Sequence, residues 1–373
     1  MPPVVIDIRN VDDSRDVVHR AVQALAEGRL VAFPTETVYG VAASALDAAA
    51  VARLVAVKGR QAGHPLALAV KGLTDARDYA PEMSPLAERI ARRCWPGPLT
   101  LVEACNHPQS LVAQLPASVR SAVVPSGTIG FRVPAHPLIL DVLRMLAGPL
   151  ALTSANRHGE AEAVTAEQVV ASLGDDVQMV FDDGACRYGQ ASTVVRVEGN
   201  QFKVLREGVI SEKNLRRLAS LLVLFVCTGN TCRSPMAEVI FRRRAADKLG
   251  CRDDELEERG VVVMSAGISA MLGSQAAPEA IEVVARRGLD LSHHESQPLT
   301  AQLARQADVI FAMTRSHLAA IASQWPDASS RAKLLSPDEF DIADPIGASA
   351  EVYERCAAQL DAAIATRLDD LGL

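Results

Sequence analysis

The chain has 373 residues, 49% hydrophobic, 22% charged and only 4% aromatic, with a formal net charge of −7. That length is ample for two cores built from aliphatic side chains, and the acidic balance argues against a broad nucleic-acid-binding surface. Seven cysteines (Cys94, Cys105, Cys186, Cys227, Cys232, Cys251 and Cys356) show neither a disulfide framework nor paired C-x-x-C knuckles, which points to a reducing compartment and no structural zinc or other metal. The first ten residues, with Asp7 and Arg9, do not read as a signal peptide, and no apolar run approaches the ~20 residues of a membrane span. A cytoplasmic protein, not membrane-bound, is expected.

In chain order, residues 17–26 read as an amphipathic helix closed by Gly28, 30–33 as a strand, 48–57 as a helix and 66–70 as a strand. A strand over 128–134 carries Arg132 among apolar neighbours. Residues 137–146 read as a helix stopped by Gly148. Strands 192–197 and 202–205 flank Gly199-Asn200, a hairpin signal, and 214–219 form a short helix. Beyond residue 217 the pattern changes. A strand over 221–226 runs through a loop into a helix over 235–249. Then come a strand over 261–264, helices over 278–287 and 299–306, a strand over 309–313 and a closing helix over 352–368. The fold class is α/β overall. The first domain, 1–217, is expected to be α+β with a mixed twisted sheet. The second, 218–373, is expected to be a doubly wound parallel sheet with helices on both faces. No Gly/Ser/Pro-rich linker separates them.

The sharpest chemical signal is Cys227-Thr228-Gly229-Asn230-Thr231-Cys232-Arg233-Ser234, between a predicted strand and a predicted helix. Backbone N–H groups of such a loop point inward and, with the helix N-terminus, cradle a phosphate. The same field, with a guanidinium beside it, favours a thiolate at the base of the loop, and a thiolate attacks phosphorus to form a phosphocysteine. Cys227 is the candidate nucleophile, Arg233 the bidentate phosphate binder and Ser234 a donor to the thiolate. Thr228, Gly229, Asn230, Thr231 and Cys232 complete the phosphate loop. Asp344, in Ala343-Asp344-Pro345-Ile346-Gly347, is the candidate general acid, which afterwards activates water.

From residue 221 to the C-terminus these residues, with Ser265-Ala266-Gly267 after the second strand, resemble the low-molecular-weight protein tyrosine phosphatase family. The resemblance implies the same roles for Cys227, Arg233 and Asp344, without a cofactor. Cys232 matches members in which it forms a protective disulfide with the nucleophile; a small buried residue is the alternative. Animal members carry a larger apolar residue where this chain has Thr231, and aromatics where it has Ile346-Gly347. A phenyl ring wants stacking partners, and aromatics are expected to be lacking near Asp344. The chain therefore looks like the bacterial protein-arginine phosphatase branch, acting on phosphorylated protein. Phosphotyrosine remains open, as does arsenate-reductase-like chemistry, for which only Cys251 and Cys356 are left, far apart in sequence.

The first domain spreads polar clusters over about 200 residues: Pro34-Thr35-Glu36-Thr37-Val38-Tyr39-Gly40, Lys58-Gly59-Arg60, His64-Pro65, Trp95-Pro96-Gly97-Pro98, Arg132, Thr153-Ser154-Ala155-Asn156, Ser192-Thr193 and Arg206-Glu207-Gly208. Lys58, Arg60 and Arg206 suit a triphosphate. Arg132 in an apolar strand needs a partner, either a substrate carboxylate or a buried acid. In this order the clusters resemble the YrdC-like threonylcarbamoyl-adenylate synthases, over about residues 4–218. Such enzymes join L-threonine, bicarbonate and ATP and release pyrophosphate. A separate transferase then uses the product to make threonylcarbamoyladenosine in tRNA. The resemblance assigns Thr37, Arg132 and Ser192 to threonine. It assigns Arg60, His64, Thr128, Ser154, Asn156 and Arg206 to ATP, with Lys58 on the same cationic wall. Mg²⁺ is expected with the triphosphate, held mostly by substrate and water. Ala69 stands where many members have histidine, Arg157-His158-Gly159 replaces Leu-Ser-Gly, and Cys94 precedes Trp95 where an aromatic is usual. Two rivals are weighed. A hydrogenase-maturation carbamoyltransferase would carry zinc knuckles and an acylphosphatase unit, and neither is visible. A double-stranded-RNA-binding module fits poorly with the acidic balance.

Overall fold

In the computed structural model, which describes residues 2–11, 13–59 and 65–371, the chain divides into two units, Met1–Leu218 and Ala219–Leu373. Ten strands form one sheet in the first: β1 (Val4–Asp7), β2 (Val31–Phe33), β3 (Gly40–Ser44), β4 (Ala67–Ala69), β5 (Leu99–Ala104), β6 (Thr128–Arg132), β7 (Leu150–Ser154), β8 (Met179–Asp182), β9 (Thr193–Glu198) and β10 (Gln201–Arg206). Their order is β1-β8-β2-β3-β7-β4-β6-β5-β9-β10, with parallel and antiparallel neighbours mixed, as expected.

The helix Ser14–Ala26 starts at Asp13, whose carboxylate accepts from the Arg15 N–H, and buries Val17, Val18, Ala21, Ala24 and Leu25. With the helix Pro137–Met145 it covers one sheet face, packing on Phe33, Ala42, Leu150 and Phe181. Each fully buried Val, Leu or Phe side chain there contributes about 1.5–3 kcal/mol of transfer free energy.

Strand alternation decides which residues face the other way. On β5, Leu99, Leu101 and Glu103 are buried while Thr100 and Val102 are partly exposed. The register sets Leu152 beside Ala67, Ala67 beside Gly130 and Gly130 beside Val102. Small residues mid-row leave the sheet face concave. A Cβ on Gly130 would meet Thr100, Val102 and Ala67 at 3.5–3.9 Å, so a side chain there would fill the floor.

Glu103 lies on the opposite side of β5, 6% exposed, with Oε1 lacking a hydrogen-bond partner. Burial pushes its carboxyl up to about 7 from an ordinary 4.5. Below about 7 it stays protonated in the fold, while in the unfolded chain it ionises above about 4.5. Stability is therefore fullest below that pH and falls as pH rises towards 7, by on the order of 3 kcal/mol. Glu103→Gln removes this slope. Thermal melts should give the variant a clear advantage over wild type at pH 8 and none at pH 4; equal gains at both would remove the carboxyl from the account.

The second unit is built on β11 (Leu221–Cys227), β12 (Val261–Gly267), β13 (Val309–Ala312) and β14 (Ala332–Leu334), all parallel in the order β12-β11-β13-β14. β11 is apolar throughout because both its faces are covered. Val223 and Phe225 pack against Met236, Ile240, Phe241 and the closing helix. Leu222, Leu224 and Val226 pack against Leu303, Ala304 and Ile321. This is the expected doubly wound sheet. The chain leaves β11 for β12 on one side and later crosses to β13 on the other, so a crevice opens at the carboxyl end of β11.

The predicted elements recur with shifted ends. The helix expected over 235–249 is Arg233–Leu249, and that over 352–368 is Ala350–Asp370. Strands β1, β3 and β8, of four or five residues, were not expected, since such short runs carry too little alternation to read.

Candidate functional site

In the second unit the loop after β11 closes around the Cys227 sulfur. Asn230 N–H donates to Cys227 Sγ at 3.3 Å, and Ser234 Oγ lies 3.0 Å from it. Asn230 has a φ of 56°, the left-handed conformation that turns successive N–H groups inward. Four bonds hold it there. Its Nδ2 donates to Ser234 Oγ at 3.0 Å and to Ser265 Oγ at 2.9 Å. Its Oδ1 accepts from Gln297 N–H at 2.9 Å, and its carbonyl oxygen lies 2.8 Å from His294 Nε2. Gly267 ends β12 because a Cβ there would stand 2.5 Å from the Thr228 carbonyl and 2.9 Å from Asn230 N.

Arg233 starts the following helix with a buried side chain. Nη1 donates to the Ile342 carbonyl at 3.0 Å, and Nη2 pairs with Asp344 Oδ2. Nε is buried without a partner, an open donor of the kind a phosphate oxygen satisfies. Asp344 has 41% of its side chain exposed, so it can meet a leaving group. The structure thus brings Cys227, Arg233 and Asp344 to one crevice with Thr228, Gly229, Asn230, Thr231, Cys232 and Ser234 on its loop.

Cys232 is buried with Sγ 3.2 Å from Tyr353 Oη, and burial pushes its thiol up. Cys356, one turn along from Tyr353, is buried, its thiol pushed up to about 12 by burial, with Sγ 3.9 Å from the Ala343 carbonyl. The expected lack of aromatics near Asp344 is corrected. Phe340, four residues before it, is 69% exposed, and after Asp344 the sequence carries no aromatic residue until Tyr353.

In the first unit the concave sheet face forms a cavity of ≈ 210 Å³, lined by Thr37, Thr100, Thr128, Arg132, Ser154, Ser192 and Arg206 among others. Arg132 and Glu36 are a buried ion pair. Arg132 Nη2 donates to Glu36 Oε1 at 2.6 Å and to Thr37 Oγ1 at 3.0 Å, and Ala135 N–H donates to Glu36 Oε2 at 2.8 Å. Of the two partners weighed for Arg132, this structure contains the buried acid. Burial pulls the Arg132 pKa down against the pull of Glu36, and Nε is left unpartnered. Arg206 donates to the Ser192 carbonyl at 2.9 Å and to Ser192 Oγ at 3.2 Å; Ser192 Oγ in turn lies 3.0 Å from Thr100 Oγ1.

Lys58 is placed differently from the cationic wall expected for it. It is 3% exposed, donating to the Ser154 carbonyl at 2.8 Å and to the Asn156 carbonyl and side chain. Asn156 donates to the Arg157 and Glu160 carbonyls at 3.0 and 2.9 Å. Both side chains therefore hold the turn that carries Ser154, and neither lines the cavity. A buried ammonium takes the nearest carbonyl oxygens because it must replace its lost hydration. Arg60 and His64 lie outside the described residues. Ala69 is fully buried on β4 beside Arg132.

Two sequence-family profiles match the chain: Sua5/YciO/YrdC, described as "Telomere recombination", over residues 23–208, and "Low molecular weight phosphotyrosine protein phosphatase" over residues 222–372. Both are families of enzymes. A threonylcarbamoyl-AMP synthase of Pyrococcus abyssi is 36% identical over 248 residues, 62% of this chain and 69% of that protein. A protein-arginine-phosphatase of Bacillus subtilis is 38% identical over 145 residues, 37% of this chain and 89% of that protein. The crystal structure of P. abyssi Sua5 complexed with L-threonine covers 70% of this chain and 92% of its own at 23% identity and a TM-score of 0.52, a likeness of fold. The chain belongs to the Sua5/YrdC family in its first unit and to the low-molecular-weight phosphatase family in its second.

Proposed function

We propose that the chain is an L-threonylcarbamoyladenylate synthase fused to a cysteine-dependent protein-arginine phosphatase. In the first unit L-threonine, bicarbonate and ATP give threonylcarbamoyl-AMP and pyrophosphate, and a separate transferase passes the product to tRNA. The observation that carries this reading is the Glu36-held Arg132, set with Thr37, Ser192 and Arg206 around one cavity. Arg132 offers its unpartnered Nε to the threonine carboxylate; Arg206, Thr128 and Ser154 face the nucleotide. Catalysis rests on positioning and charge neutralisation, with no covalent nucleophile. Glu162 also lines the cavity, and among the described residues no cluster of His, Cys, Asp or Glu gathers that could hold an ion, so Mg²⁺ would arrive on the triphosphate. Pyrophosphate release that needs both threonine and bicarbonate tests the reading. Tight RNA binding without such release would overturn it in favour of a binding module.

In the second unit the Cys227 thiolate attacks phosphorus, the S–P bond forms and the bond to the leaving group breaks. Asp344 supplies the proton to that group, then takes one from the water that hydrolyses the phosphocysteine. Thr231 on the loop suits a guanidinium better than a phenyl ring, and the Bacillus subtilis relative carries the same named activity. Thr231→Ile should move the ratio of kcat/KM for phosphoarginine over phosphotyrosine substrates at least about tenfold towards phosphotyrosine, the scale of a one- to three-kcal/mol pocket change. An unchanged ratio would remove Thr231 from the account of specificity. The cysteine pattern, without a disulfide framework, supports the cytoplasm as the place of both activities.

A further inference from the structure

We infer that His317 is a positioning residue of the phosphatase site, holding the first residue of the phosphate loop through Thr228. The inference rests on the phosphatase reading above. His317 sits on the first turn of the helix Arg315–Gln324, which follows β13, the strand across the crevice from β11. The imidazole is 7% exposed, and both ring nitrogens are engaged. Nε2 lies 2.9 Å from Thr228 Oγ1, and Nδ1 lies 3.0 Å from Thr314 Oγ1. Thr314 also caps the helix, accepting from the His317 N–H at 3.3 Å. The ring is therefore fixed at both ends.

Burial and the Arg233 guanidinium push the His317 pKa down to about 4, against Asp344 and Asp341, so the ring is neutral near pH 7. A neutral imidazole has one donor and one acceptor, which matches one bond to each threonine. It also leaves Arg233 without a competing cation beside the phosphate position.

The geometry gives the contact its consequence. Asn230, in the middle of the loop, is clamped from the β12 side by Ser265, Gln297 and His294. Thr228, exposed at the loop's start, is bound on that side through its carbonyl, which accepts from Ser269 N–H at 2.9 Å. Its side chain is tied instead to the β13 side by His317. With both ties the loop is fixed across the crevice; without His317 its first residue can turn away from the phosphate position. A loop displaced by a fraction of an ångström loses transition-state stabilisation.

Steady-state hydrolysis of p-nitrophenyl phosphate and of phosphoarginine by the full chain tests this. The glutamine amide reaches the place of Nε2, whereas the asparagine amide reaches only that of Nδ1. His317→Asn should lower kcat about tenfold with KM little changed, and His317→Gln should stay within about threefold of wild type, the scale of one lost or kept hydrogen bond. Thr228→Val, at an exposed position, breaks the same bond without disturbing the buried ring. It should cost as much as His317→Asn, and the double variant no more than either. Equal losses in His317→Asn and His317→Gln would mean that the ring only fills space. Full activity in His317→Asn, or losses that add in the double variant, would also overturn the inference. A wild-type chain that turns over neither substrate would instead overturn the phosphatase reading on which it rests.

Discussion

Cys227→Ser is expected to abolish phosphatase turnover, lowering kcat by at least roughly 10⁴-fold, because a hydroxyl does not ionise as a thiol does and the covalent step is lost. The serine oxygen is smaller than sulfur but adds no bulk and can accept from Asn230 N–H, so the loop keeps its shape and the melting temperature should hold. The same variant should release pyrophosphate in the threonine- and bicarbonate-dependent assay at the wild-type rate, because the synthase cavity lies wholly within the first unit. Phosphate release is read from phosphoarginine and p-nitrophenyl phosphate, pyrophosphate from the coupled assay. Residual phosphatase activity within tenfold of wild type would remove Cys227 as nucleophile.

Arg132→Ala should have the second large effect, and it acts on two quantities at once. Removing the guanidinium strands Glu36 in the protein, and breaking a buried pair in this way costs about 3–5 kcal/mol. It also removes the donor proposed for the threonine carboxylate, so threonine-dependent pyrophosphate release should fall by about 10²–10³-fold. The two are separated by Glu36→Gln combined with Arg132→Met, which removes both charges. Stability should recover most of the loss, because neither partner is left charged and alone. Activity should not recover, because no donor faces the substrate. Activity returning with stability would show that Arg132 serves the fold alone. Arg132→Lys should keep the charge that Nη2 presents to Glu36 and Thr37 but lose the Nε–H donor, and should fall between the two.

The phosphate loop was legible because its parts are contiguous. Cys227 to Ser234 fold on themselves, and the spacing alone places the thiol, the guanidinium and the hydroxyl around one point. Of the loop's outer supports only Ser265 was marked, within Ser265-Ala266-Gly267 and without a role. His294, Gln297 and His317 come from segments 64 to 89 residues away, and a glutamine or histidine in an unremarkable segment carries no local mark of its destination. The synthase cavity shows the same division. Thr37, Thr128, Arg132, Ser154, Ser192 and Arg206 were picked out by motif and converge on one sheet face. Lys58 was read by its charge as a phosphate ligand, yet it is buried against carbonyl groups. For Arg132 the sequence offered only an unspecified buried acid; Glu36, 96 residues away, was not picked out as its partner.

By itself the sequence determined that the chain holds two enzymes, which residues form the phosphate loop, and that β11 is buried on both faces. The first came from the resemblance of the motif sets to two enzyme families; the others follow from local spacing and from the run of apolar residues, which act over a few positions along the chain. Only the tertiary structure decided the partner of each buried charge: Glu36 for Arg132, Asp344 for Arg233, two carbonyl groups for Lys58. The worth of a charge pair depends on distance and on how far water is excluded. Both are set by the order of strands in the sheet, which brings together residues that the chain keeps far apart.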